Sequence, residues 1–282
     1  MNDKRLKNVD AILEMEKYLS NQFNHSPKKR WENTFIKHQI DRRARGDTFS
    51  INEHIRAMVY SMLSSGISWD RVESLTDLKT GKILLLDEWF HQYDPDFLTT
   101  CDPITLRDGM KELHLASQYT MKQMTALVKI NIPKLKEIKQ KSKDIDVYYR
   151  QFISSNGNTT CLIKQLSSLE SPNKFVQMGV ALTAEYLRNI GYDLAKPDRH
   201  ICKILGRDYL GFSENQDVPT YEVIDIVSDL AAELKKSAAE IDYILWAYCA
   251  DGFGEVCTKN NPKCKRCIVN TFCSKRRIKN AG

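Results

Sequence analysis

The chain has 282 residues, 42% of them hydrophobic and 28% charged, and a formal net charge of +6. That is the balance of an ordinary soluble protein, long enough for one large domain or two modest ones. It contains no apolar run of roughly eighteen residues that would cross a bilayer, so a membrane association is not expected. The opening segment MNDKRLKNVD lacks the apolar core of a secretory signal, and a cytoplasmic location is the expectation.

Helical signals dominate from end to end. A basic run, Lys28, Lys29 and Arg30, continues in Arg42, Arg43 and Arg45. EHIRAMVYSMLSSG (53–66) then places Ile55, Met58, Val59, Met62 and Leu63 on one face, the spacing of an amphipathic helix. TLRDGMKELHL (105–115) and YTMKQMTALVKINIPKLKEIK (119–139) show similar periodicity, and KEIKQKSKDIDVYYRQ (136–151) reads as an exposed polar helix or insertion. CLIKQLSSL, KFVQMGVALTAEYLRNIG (174–191), HICKILGR and the segment 221–252 complete the pattern. Turn signals separate the pieces at Asn156-Gly157-Asn158, Ser171-Pro172-Asn173 and Lys196-Pro197-Asp198. Strand-like alternation is nearly absent, and an all-α protein, in two helical lobes, is expected.

Near the C-terminal end stand Cys257, Cys264, Cys267 and Cys273, spaced Cys-x6-Cys-x2-Cys-x5-Cys. Four thiolates at short spacing can enclose one metal centre, either zinc or an iron–sulfur cluster. The other four cysteines, Cys101, Cys161, Cys202 and Cys249, lie among apolar residues and read as small buried hydrophobes in a reducing compartment. From Cys257 to Gly282 there are eight Lys or Arg and no Asp or Glu. Positive charge threaded through a metal loop, with a second basic run near the other end, favours an anionic polymer as partner.

The cysteine spacing resembles that of the endonuclease III family of helix-hairpin-helix DNA glycosylases. Two further stretches follow the family's order: KFVQMGVALTAEYLRNIG in the place of the helix-hairpin-helix, and LAKPDRHICKILGR (194–207), whose Asp198-Arg199-His200 looks like the family's Asp-x-His. The resemblance covers most of residues 50 to 275. It implies a six-helix barrel domain over 50–192 and an iron–sulfur domain made of 1–49 and 193–282. It also implies a [4Fe-4S] cluster on the four cysteines and a catalytic Asp198 in the cleft between lobes. The expected partner is double-stranded DNA carrying a damaged or modified base, and the expected state is a monomer. The base is flipped out of the duplex and its N-glycosidic bond cleaved. A carboxylate suits that chemistry, because positive charge develops on the sugar and an attacking water must be oriented. Pro197 fixes an extended approach, Asp198 caps the following helix, and a helix N-terminus favours a negatively charged cap. His200 is expected as a structural support. Lys259, Lys263, Lys265 and Arg266 are expected at DNA phosphates, with Arg199 and Lys203 facing phosphates or solvent.

The chain also departs from the family pattern. Members that nick the strand carry a lysine just before a Thr-Ala pair. Here Thr183-Ala184 follows Val180, Ala181 and Leu182. A Schiff base needs an amine, so a monofunctional glycosylase is expected, with Lys174 and Lys196 as the nearest substitutes. The hairpin's Gly-x-Gly is Gln177-Met178-Gly179, leaving Gly179 alone for a close phosphate contact. Tyr60, Ser61, Met62 and Leu63 stand where adenine-removing members place a catalytic glutamate. Gly66 stands where a glutamine fills the gap left by the flipped base; Ile67, Trp69, His114 or Leu115 are its replacements, Leu115 the best match. Two other readings remain: a non-catalytic iron–sulfur relative that recognises altered DNA, and an electron-transfer or zinc-stabilised protein unrelated to repair.

Overall fold

The computed structural model describes residues 3–154 and 158–275, and its regular elements are helical, with no strand among the described residues. The expected all-α class is observed. Arg276, Arg277, Lys279 and the Asn156-Gly157 pair lie outside the described residues. The chain divides into two compact units, Met1–Glu32 with Asp193–Gly282, and Asn33–Tyr192. Helix α1 (Asp3–Gln22) belongs to the first. The second holds α2 (Phe35–Ala44), α3 (Ile51–Leu63), α4 (Trp69–Leu75), α5 (Leu84–Trp89), α6 (Pro95–Thr100), α7 (Pro103–Glu112), α8 (Thr120–Ala126), α9 (Ile132–Ser142), α10 (Ile145–Arg150), α11 (Thr160–Ser167) and α12 (Val180–Asn189). The first unit resumes with α13 (Arg199–Ile204), α14 (Thr220–Leu234) and α15 (Ala238–Cys249).

In the unit Asn33–Tyr192, α3 is the central helix. Ser50 and Glu53 form a reciprocal capping box at its start, satisfying two donors that the helix leaves open. From His54 to Leu63 every residue is buried, so the helix has no solvent face and its polar residues need internal partners. α3 packs along α12. Between them the His54 Nδ1 lies 2.6 Å from the Tyr186 hydroxyl, which is 2.8 Å from that of Tyr149. Asp87, also buried, accepts from the hydroxyls of Tyr60 at 2.7 Å and Tyr93 at 2.9 Å.

Residues 33–49, expected with the terminal domain, belong to this unit instead. The cause is the basic run. Arg42 pairs with Glu53 at 2.6 Å. Arg43 pairs with Asp146 at 2.9 Å, donates to the Ile190 carbonyl at 2.8 Å and lies over the Phe49 and Tyr192 rings. Two of the arginines expected on an anionic partner are therefore committed to packing. The segment 136–151 is also corrected. It forms the end of α9 and all of α10, and it buries Ile138, Ile145, Asp146 and Tyr149. The stretch 119–139 is not one regular helix: a π turn at Leu127–Asn131 separates α8 from α9, next to Pro133, which has no N–H to give.

In the other unit α15 is apolar and almost wholly buried. It begins at Ser237, whose hydroxyl accepts from Glu240 N at 3.0 Å, and it packs against α1, α13 and α14. α1 contributes Ile12, Met15 and Leu19, spaced for one helix face, to a core shared with Ile201, Leu205, Val227, Leu245 and Tyr248. The segment 221–252 forms two helices, because Lys235 turns left-handed at φ 54° and ends α14.

Two expected outcomes follow. Gly191 has φ +83°, and a Cβ there would meet the Gln39 carbonyl oxygen at 2.4 Å. Gly191→Ala should cost about 3 kcal/mol, from strain and forced backbone movement. Gly179 has nothing within 4 Å of its ideal Cβ and is the contrast: Gly179→Ala should cost only about 1 kcal/mol or less in urea unfolding, the loss of a favourable N-cap residue. The second outcome concerns pH. Burial pushes the His54 imidazole from its usual 6.5 down to about 3. The folded protein keeps it neutral while the unfolded chain takes up a proton below 6.5, so this stability is complete above 6.5 and is lost as pH falls towards 3, at most about 1.4 kcal/mol per pH unit. Denaturation curves of the parent and His54→Gln should diverge only in that window; parallel curves would remove His54 as the cause.

Candidate functional site

Asp198 closes the turn Lys196-Pro197-Asp198 and is the N-cap of α13. Its Oδ1 accepts from His200 N at 2.8 Å and Ile201 N at 3.1 Å. Its Oδ2 has no hydrogen-bond partner among the described residues, and the side chain is half-buried. The approach to the cap is held by Asp242, a buried residue of α15 whose Oδ1 accepts from Lys196 N at 2.9 Å. Burial pushes the His200 imidazole below its ordinary value, against the opposing pull of the Asp198 and Asp251 carboxylates.

The cysteine loop follows α15 directly. Gly254 N donates to Ala247 O at 2.8 Å; Val256 N and Cys257 N donate to Tyr248 O at 3.0 and 3.3 Å. Lys263 N closes the loop on Val256 O at 2.8 Å, and Val256 and Val269 are buried beneath it. At its far end Ser274 N donates to Tyr209 O at 3.0 Å, and the Tyr209 ring carries the ammonium groups of Lys203 and Lys275 at 5.0 and 5.1 Å from its centroid.

Of the four spaced cysteines, Cys257, Cys267 and Cys273 are half-buried and Cys264 is exposed. Burial raises the Cys267 thiol, and the sulfurs of Cys257 and Cys273 are near enough to raise it further. Among the described residues no three His, Cys, Asp or Glu side chains stand in a metal-holding group. The donor set is nonetheless four soft thiols on one loop, without a carboxylate, which is the chemistry that zinc and iron–sulfur clusters select. On that chemistry the four residues fit such a group.

The other cysteines differ from expectation. Only Cys249 is buried; Cys101 and Cys202 are half-buried and Cys161 is exposed. Cys161 lies in the first turn of α11, and Cys101 is the extended residue that follows α6, its Sγ donating to Phe97 O. Cys249 was not marked by the spacing, yet its buried thiol lies against that of Cys257 and pulls it below the ordinary thiol value. The signal for it was its place on the last turn before the loop.

Lys259, Lys265 and Arg266 are exposed and have no acidic partner among the described residues. Lys263 differs: it pairs with Glu255 at 2.7 Å.

In the unit Asn33–Tyr192, α11 and α12 pack across the turn 168–179. Gln177 adopts φ 61° there, a conformation that favours glycine. Gly179 is the exposed N-cap of α12, and no side chain caps that helix, so first-turn N–H groups stay open. Lys174 is not a loose amine. Its Nζ donates to Ser167 O at 2.5 Å and Met178 O at 3.3 Å, and burial lowers its pKa. Lys134 donates to Pro172 O and Lys174 O at 2.8 and 2.7 Å, and Asn131 exchanges two hydrogen bonds with Val176. Lys196 is 9% exposed.

Leu115 is corrected. It is 0% exposed, with its N–H on Met110 O, because His114 turns left-handed at φ 55° and folds the next residue inward. His114 itself is exposed, and Ile67 and Trp69 are half-buried. The exposed side chain beside Gly66 is one that sequence reasoning missed, Tyr119, 47% exposed and 3.9 Å from where a Gly66 Cβ would be.

Compared with protein-family models, curated proteins and solved structures, the chain matched none. No described helix is long and apolar enough to cross a membrane.

The strained turn yields a direct test. Gln177→Gly should raise stability by about 0.5 to 1 kcal/mol, relief of left-handed strain exceeding the entropy cost of glycine. A lower denaturation midpoint would show that the Gln177 side chain makes a compensating contact.

Proposed function

We propose that the chain is a monofunctional DNA glycosylase of the helix-hairpin-helix, iron–sulfur type. It would take a damaged or modified base out of duplex DNA and hydrolyse its N-glycosidic bond, leaving an abasic site. The observation that carries this reading is the Asp198 carboxylate, anchored through Oδ1 by two backbone N–H groups while Oδ2 has no hydrogen-bond partner among the described residues.

In this reading Asp198 faces the sugar of the extruded nucleotide. Its negative charge offsets the positive charge that grows on the ring, and Oδ2 orients or deprotonates the attacking water. The cap bonds fix the carboxylate before substrate arrives, so little reorganisation is needed. Leu182 occupies the place of the strand-nicking lysine, and Lys174 is engaged by two carbonyls. Both facts favour hydrolysis without lyase chemistry. Lys259, Lys265 and Arg266 meet phosphates, while Lys263 steadies the loop through Glu255. The open N–H groups at Gly179 suit a further phosphate. Tyr119, rather than Leu115, is the side chain available to fill the gap beside Gly66.

Cys257, Cys264, Cys267 and Cys273 would hold the [4Fe-4S] cluster, which when bound orders the basic loop. The supports are the spacing, the thiol donor set and the docking of the loop on α15.

Base release from lesion-containing duplexes, each read with and without hot alkali, tests the proposal. Strand breaks are expected only after alkali. Asp198→Asn should lose release roughly 100-fold or more with its fold intact, since asparagine caps a helix as well as aspartate. Unchanged turnover in that variant would remove Asp198 from the mechanism. DNA binding without base release from any duplex would favour the non-catalytic reading.

A further inference from the structure

α15 ends in Tyr248 and Cys249, and each of these adjacent side chains reaches the sulfur of a different cysteine in the loop. The Tyr248 hydroxyl donates to Cys267 Sγ at 3.4 Å. The ring is held edge-on by Tyr18 at 5.6 Å and is 0% exposed. Cys249, 2% exposed, is the next residue, and its thiol lies against that of Cys257. The hydrogen bonds from Val256 N and Cys257 N to Tyr248 O bring the loop back over these two residues. Both side chains are themselves shielded from water.

We propose that Tyr248 and Cys249 are a pair of outer hydrogen-bond donors to two cluster-ligand sulfurs, Cys267 and Cys257, and that together they set the cluster's reduction potential. This inference rests on the iron–sulfur reading given above. Hydrogen bonds to ligand sulfurs withdraw electron density from them, which favours the more electron-rich, reduced form. Because the donors are neutral and buried, the effect is built into the fold and is independent of salt. Both are positioning residues: they act through a ligand and touch no substrate.

The test compares the parent with Tyr248→Phe, Cys249→Ala, Cys249→Ser and the double variant Tyr248→Phe/Cys249→Ala. Each is purified without oxygen, its iron and acid-labile sulfide counted, and its midpoint potential measured by protein-film voltammetry. Tyr248→Phe and Cys249→Ala should each shift the midpoint to more negative potential, and the double variant further. Cys249→Ser, which keeps a donor, should return towards the parent value. Full iron content with the parent's midpoint in both single variants would overturn the inference and leave the cluster reading standing. If Cys249→Ala sheds iron, the near-isosteric Tyr248→Phe decides: a negative shift supports the inference and an unmoved midpoint overturns it. A parent chain that takes up no iron and sulfide overturns the cluster reading and this inference together.

Discussion

A loop with only one short 3-10 turn of its own, Cys264–Arg266, must still place its other backbone N–H groups on acceptors. The cysteine loop does this on the last turn of α15, where the carbonyls of Ala247 and Tyr248 take the N–H groups of Gly254, Val256 and Cys257. The carbonyls at a helix C-terminus have no partner within the helix, so the end of α15 offers what the loop lacks. The rest of the site depends on that exchange. It brings Cys257 against Cys249, sets Cys267 beneath Tyr248 and leaves Lys259, Lys265 and Arg266 outside. α15 also carries Asp242, which holds the chain entering the Asp198 cap. One buried helix therefore organises both the carboxylate and the sulfur chemistry of its unit.

The turn between α11 and α12 solves a similar problem by other means. It departs from a two-glycine turn, and Gln177 accepts the left-handed conformation. Lys134, Lys174 and Asn131 take up its carbonyls from three directions. An ammonium group is a compact donor with three N–H bonds, well suited to gathering carbonyls that point to one spot. Lys174, which sequence alone offers as a reactive amine, is by this geometry part of the scaffold that offsets the strain at Gln177.

Helix class and much of the helix placement were legible in the sequence, because apolar spacing is a local property. The capping role of Asp198 was legible for the same reason. What was not legible depends on tertiary partners. The segment 136–151 looked exposed by its charge, but Ile145 and Tyr149 are buried and Asp146 is neutralised by Arg43 from more than a hundred residues away. Leu115 looked suited to an exposed loop tip, yet the left-handed His114 turns it into the core. Lys263 looked like its neighbours in the basic loop until Glu255 was found across from it. Cys249 read as a small hydrophobe because its spacing to Cys257 belongs to no simple ligand pattern, and only the return of the loop over α15 brings the two thiols together.

The division of labour at Asp198 follows from carboxylate geometry. A carboxylate has two oxygens and about four lone-pair directions, and the helix cap uses two of them, both on Oδ1. Capping therefore costs the residue none of the acceptor capacity of Oδ2. An amide keeps the capping oxygen but loses the charge, so fold and chemistry separate at this position, although one side chain serves both. His200 fits the same scheme: its backbone N–H holds Asp198, while burial disfavours the protonated form of its ring. The ring is thereby biased against placing a second charge beside the carboxylate, and the negative charge available to a developing cation is left less neutralised.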